Sequence, residues 1–165
     1  MRAVIFFTPL LLALSGCGGS GDNGMDHDTS GTAYAYQIVD CGIASSTSIS
    51  EPSREVISDV HRFREVYGVT DLNNQDAIPD VNFDNKQVVA IHSGTKGNPA
   101  HGLRIDGVVT SANKLVVQYT AILPDRSGDC SYPTVAVYPY CFISMEKSEL
   151  YVTYSEITEE NSCGS

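Results

Sequence analysis

The feature that most constrains this chain is the succession of short β-type segments filling its second half. Val88 to His92 is a continuous apolar run. Leu103 and Ile105, then Leu115, Val117 and Tyr119, alternate with other residues on either side of a Ser111-Ala112-Asn113-Lys114 turn. Thr134 to Tyr138, Tyr140 to Met145 and Leu150 to Ser155 supply three more such segments, and Tyr34 to Asp40 opens the series. A period of two over a few residues marks a half-buried strand. Helical period occurs once, in SREVISDVHRFREVYG. There Ser58 is the expected N-cap, Val60, Phe63, Val66 and Tyr67 share one face, and Gly68 ends a helix over about 58–67. A single helix leaves no crossovers for a doubly wound parallel sheet. The expected fold is mainly β: an antiparallel β-sandwich or open barrel with one short α-helix.

The opening residues, MRAVIFFTPLLLALSGC, place Arg2 before an apolar run from Ala3 to Leu14. This is the pattern of a secretory signal peptide, too short for a spanning anchor. Leu14-Ser15-Gly16-Cys17 resembles the lipobox of bacterial lipoproteins. That resemblance implies cleavage after residue 16, acylation of Cys17 with palmitate-type chains, and, with Gly18 following, an outer-membrane location in the cell envelope. Each buried methylene contributes about 0.8 kcal/mol to such an anchor. Residues 17–33 read as the lipidated cysteine and a Gly/Ser/Asp-rich flexible tether. Asp26-His27-Asp28 within it is expected to be solvated, because a structural metal site needs several ligands in fixed geometry. The remainder, 34–165, has the size of one domain.

The chain carries 10 basic and 20 acidic residues. Loss of residues 1–16 removes only Arg2, leaving 9 basic against 20 acidic and a formal charge of −11. Nucleic acid is disfavoured as a partner, since phosphate contacts need a basic surface. Besides Cys17, four cysteines remain: Cys41, Cys130, Cys141 and Cys163. An even number in an exported chain predicts two disulfides. Three pairings are open. The favoured one joins Cys130 to Cys141 as a local bridge and Cys41 to Cys163 as a tie between the domain's ends.

If 86–92, 102–109 and 114–122 run as an antiparallel meander, the connections 93–101 and 123–133 leave the sheet at one end. The first contains Lys96, Asn98, Pro99 and His101, and the second contains Arg126. Two polar loops side by side on a rigid scaffold predict a protein-contact surface. The loop GTKGNPAHG is not a phosphate loop: it lacks the G-x-x-x-x-G-K-[ST] order and opens into a strand.

From residue 48 to 157 the order of features resembles the C-terminal domain of PrcB-type protease complex subunits. The resemblance rests on EPSREVISDVHRF, a proline-containing segment before a strand and helix, and on Pro79-Asp80-Val81-Asn82-Phe83-Asp84. A Val-rich strand, GNPAHGLRID, an L-V-V run and Pro139-Tyr140 before an alternating strand complete it. Where that family commonly has Gly-Gly-Tyr at the loop exit, this chain has Ala100-His101-Gly102-Leu103. The resemblance implies a non-catalytic domain that binds or stabilises a partner protein, a protease at the cell surface.

Catalysis is not expected. The cysteines are expected to be oxidised, and neither a G-x-S-x-G elbow nor an H-E-x-x-H pair is present. No metal or other cofactor is expected. Asn98-Pro99 between strands superficially resembles a loop of chagasin-type protease inhibitors, but the partner loop of that type needs Trp, which this chain lacks. A structural envelope lipoprotein without a dedicated partner is the remaining alternative.

Overall fold

A computed structural model describes residues 27, 30–44, 49–68, 78–127 and 130–161. The expected signal segment, Cys17, Asp26, Asp28 and Cys163 lie outside these. Eight strands and one helix occur among the described residues: β1 (Thr32–Ala33), β2 (Tyr36–Gly42), β3 (Ser53–Ile57), α1 (Val60–Tyr67), β4 (Lys86–His92), β5 (Gly102–Ser111), β6 (Lys114–Pro124), β7 (Tyr140–Glu146) and β8 (Tyr151–Asn161). They form two four-stranded sheets, β1-β5-β6-β8 and β2-β7-β4-β3. The architecture is a β-sandwich with one short helix, as the alternation of apolar residues requires. Its strand pairs are antiparallel except β6 with β8, which run parallel because β7 crosses to the other sheet between them.

Side chains from the two inner faces fill the main core. Val89, Ile91, Cys141, Ile143 and Met145 come from the β2-β7-β4-β3 sheet and meet Ile105, Val108, Leu115, Val117 and Tyr119 of the other. The opposite face of β3, β4 and β7 carries Ile57, Val88, Ala90 and Phe142, and α1 covers it with Phe63 and Val66. This explains why β4 reads as continuously apolar: both of its faces are buried. Helix α1 starts one residue later than the sequence suggests. Asp59, not Ser58, is the N-cap, accepting a bond from the Arg62 backbone N–H at 2.9 Å. At the other end Gly68 adopts φ 88°, the left-handed cap that glycine favours. Tyr67 and Tyr140 both donate to Asp40 Oδ2, at 2.7 and 2.9 Å, stapling the helix to the sheet. Burial, with Asp40 beside it, pushes the Tyr140 hydroxyl up to about 12.

Three sequence expectations need correction. Strands β4, β5 and β6 are not one meander: β4 belongs to one sheet and the β5–β6 hairpin to the other, so segment 93–101 crosses between layers. Thr134–Tyr138 is not a strand; it contributes only an isolated bridge, Lys96 with Val137. The disulfide pairings are also different. Cys41 bonds to Cys141, because they are direct partners in the antiparallel β2–β7 ladder with Cα atoms 4.1 Å apart. That bond excludes both Cys130–Cys141 and Cys41–Cys163. Cys130 is itself disulfide-bonded, to a partner outside the described residues.

The N-terminal segment also differs from a free tether. Thr32–Ala33 pair with Thr110 and Val109 of β5. Before them, His27 lies on the outer face of the β1-β5-β6-β8 sheet with its side chain only 8% exposed. Its ring nitrogens meet Ser155 Oγ at 3.1 Å and Asp106 Oδ2 at 2.9 Å. Asp106 also accepts from Thr120 Oγ1 at 2.6 Å and Arg104 Nε at 2.9 Å. Burial alone would raise the Asp106 carboxyl, but these hydrogen bonds outweigh it and hold the group below its ordinary range.

Candidate functional site

The candidate site occupies the open end of the sandwich where segment 93–101 passes between sheets. Gly94 makes that passage possible. It adopts φ +72°, and a Cβ there would sit 2.6 Å from the Ser50 carbonyl oxygen. Thr95 N–H then donates to Ser50 O at 2.9 Å, fixing the segment against the residues before β3. Further along, Asn98 Oδ1 accepts from Ala100 N–H at 3.1 Å, an Asx turn that reverses the chain before β5.

The second connection packs onto the first. Lys96 and Val137 exchange backbone bonds of 2.8 and 2.9 Å, Val135 N–H donates to Gly97 O at 3.1 Å, and Ser93 N–H donates to Pro139 O at 2.9 Å. Segment 93–101 therefore meets 135–139, which overlaps the stretch expected to be a strand, at this end, by crossing between sheets and not by a meander. Val135 lies on this paired surface and is 49% exposed.

Beneath the loops is a cleft of about 230 Å³ between β3 and β4 on one side and β6 and β8 on the other. Its apolar wall includes Ile91, Ala121 and Leu123. Its floor is a polar network. Arg54 Nε donates to the Tyr119 hydroxyl at 2.6 Å, Arg54 pairs with Glu156 at 2.5 Å, and Tyr119 donates to the same Glu156 oxygen. Arg54 also stands 5.4 Å from the centre of the Tyr119 ring. Desolvation and the hydrogen-bonded Glu156 push the Tyr119 phenol up to about 12, so it stays protonated and acts as a donor at neutral pH.

Lys96 and His101 line the mouth of this cleft. The His101 Nδ1 atom is buried with no hydrogen-bond partner among the described residues. Burial, with the Lys96 charge nearby, lowers its pKa and leaves it neutral at pH 7. His92 contributes differently. Strand alternation sends Ile91 toward the opposite sheet and turns the His92 ring to the other face, where it stacks with Tyr140 at 6.4 Å. Its Nδ1 lies 3.4 Å from Ser53 Oγ, and desolvation holds it below the ordinary histidine value.

Of the five predicted contact residues, Lys96 and His101 come together at the cleft. Asn98 and Pro99 form the half-buried turn between them. Arg126 lies beyond the end of β6, 75% exposed, with its Nε 3.7 Å from Glu160 Oε1. It is therefore loosely paired instead of freely offered. Sequence reasoning misses Arg54, Tyr119 and Glu156 as site residues. Arg54 carries a usable signal, being a charged residue facing inward on a strand, but only the β3 pairing reveals that direction. Among the described residues no group of three or more His, Cys, Asp or Glu is placed to hold a metal ion.

Compared with protein-family models, characterised proteins and solved structures, the chain matches none.

Proposed function

We propose that this chain is an exported, lipid-anchored, non-catalytic domain that binds a partner protein with the loop-bearing end of its sandwich. The observation that carries the reading is the hydrogen-bonding of 93–97 to 135–139 into one platform beside an open cleft. Such a platform presents side chains in fixed positions at little ordering cost, which favours specific association. Val135 supplies an exposed apolar anchor and Lys96 a basic group on an otherwise acidic protein, with Arg126, loosely paired to Glu160, beyond the end of β6. Charge complementarity of this kind acts mainly on association rate and specificity.

The PrcB-type motifs suggest a cell-surface protease as the partner, and the lipobox-like LSGC suggests tethering to the outer membrane through Cys17. Support for a non-catalytic role comes from the one Ser, His and Asp constellation among the described residues, Ser155, His27 and Asp106. It lies on the outer face of the β1-β5-β6-β8 sheet, with Asp106 at the bulge of β5. Backbone amides of strands lie in the plane of a sheet, so they do not converge above Ser155 as oxyanion donors must. Asp106 is moreover already engaged by Arg104 and Thr120.

The test is a cross-linked pull-down comparing the natural chain with a Lys96→Ala, Arg126→Ala variant. The variant is expected to keep its melting temperature, as surface substitutions usually do, and to recover less of an identified partner. Full recovery of that complex would move the binding surface elsewhere.

A further inference from the structure

We propose that the cleft under the loops receives the carboxy-terminal residue of the partner chain, its carboxylate bound by Lys96 and His101 and its aliphatic side chain against Ile91, Ala121 and Leu123. This rests on the partner-binding reading and names the feature of the partner that is read.

The polar groups sort into those already satisfied and those left over. Glu156, the one carboxylate lining the cleft among the described residues, is held by Arg54 and Tyr119. That network neutralises the acidic side chain that would otherwise repel an anion. At the mouth, Lys96 makes no ion pair with any described residue. His101 Nδ1 is buried and has no hydrogen-bond partner among the described residues, a donor or acceptor that costs free energy until something reaches it. A neutral imidazole N–H and an ammonium at one opening complement a single carboxylate and leave no lone-pair set for a metal.

Size and surroundings select a chain end over a larger ligand. The volume of about 230 Å³ is below the roughly 300 Å³ at which sites for drug-sized molecules begin. It suits one aliphatic residue. The cleft is bordered by Arg54 of β3 and by Glu156 and Thr158 of β8, and both strands are the last in their sheets. Edge strands present unpaired backbone groups, so an extended peptide entering here finds main-chain partners as well as the carboxylate site. A free small acid would use only half of this arrangement. Glu159 and Glu160 follow on β8, so the preceding residues of the favoured peptide are neutral or basic.

The experiment uses the full mature chain and a fluorescein-labelled peptide ending Lys-Gly-Lys-Ala-Leu, read by fluorescence polarisation. The free-acid peptide is expected to bind at least about tenfold more tightly than the same peptide with a terminal amide, a difference of about 1.4 kcal/mol. Lys96→Met and His101→Phe are each expected to weaken the acid form several-fold, with circular dichroism and melting temperature reporting whether each variant folds. A third variant, Leu123→Gln, probes the side-chain wall and is expected to lower affinity without removing the preference for acid over amide. Equal binding of acid and amide, no binding at millimolar protein, or undiminished binding by folded Lys96→Met protein would overturn the assignment. Competition by 4-methylpentanoate as effective as unlabelled peptide would assign the cleft to a free acid and overturn the chain-end reading. If the peptide fails while the Lys96→Ala, Arg126→Ala pull-down still loses its partner, only this inference falls.

Discussion

Removing the Cys41–Cys141 bond is expected to bring the domain close to the limit of stability. The bond closes a loop with a sequence separation of 100. Restricting a loop of that length in the unfolded chain is worth about 4.7 kcal/mol on the chain-entropy treatment. Part of that restriction is shared, because Cys130 lies inside the loop and carries a disulfide of its own. With Cys41 and Cys141 paired, and with Cys17 acylated as proposed, the remaining cysteine is Cys163, and a Cys130–Cys163 bond would interlock with the first. The expected loss is therefore about 3 to 4.5 kcal/mol, against a usual total of roughly 5–15. Cys41→Ser with Cys141→Ala is the suitable variant, since position 141 is fully buried and a hydroxyl there would lack a partner. In urea, with a slope of about 2 kcal/mol per molar, the midpoint should fall by about 1.5 to 2.3 M. The slope should also rise, because the released unfolded chain exposes more surface. A midpoint shift under about 0.5 M would refute the reasoning, and peptide mapping that linked Cys130 to any residue but Cys163 would refute the shared-restriction step.

Phe63 of α1 is fully buried against Phe142, so Phe63→Ala should cost about 3–5 kcal/mol by chemical denaturation, while Val60→Ala, on an exposed residue, should cost under about 1. His92 and His101 are both held below their ordinary pKa by burial, so the unfolded chain takes up protons before the folded one does. Stability from these groups is complete above about pH 6.5 and is lost as pH falls through the lower folded values. The melting temperature should therefore drop between pH 7.5 and 5.5, and His92→Gln should shrink that drop; a flat or rising profile would contradict it. Cys17→Ala should release the protein from the membrane fraction, and unchanged partition after fractionation would remove the lipid anchor from the account.

What the sequence makes legible follows from where each strand's faces point. β5 and β6 alternate because one face meets the core and the other is polar, so their hairpin at Ala112-Asn113 is visible. β3 is not, because Arg54 and Glu55 interrupt the apolar pattern: Arg54 turns inward to a buried hydroxyl, and Glu55 pairs with Arg62 of the helix. Assignment of β4 to the other sheet is hidden for a different reason. Burial on both faces removes the alternation that would say which layer it joins. The cysteine pairing depends on register: only the β2–β7 ladder sets Cys41 against Cys141. At the site, the loop residues announce themselves by composition, whereas Tyr119 and Glu156 are brought together by the parallel β6–β8 pairing, which no local pattern encodes.

Whether the loop-bearing end of the sandwich is the binding surface is tested by site-specific photocrosslinking in intact cells. A benzophenone side chain is placed at Asn98 in one variant and at Asn113, in the β5–β6 turn at the far end of the domain, in another. Adducts are identified by mass spectrometry. One discrete protein adduct is expected from position 98, lost when Lys96→Ala and Arg126→Ala are added, and none from position 113. The same adduct from position 113, or none from 98 with equal incorporation of the probe, would contradict it.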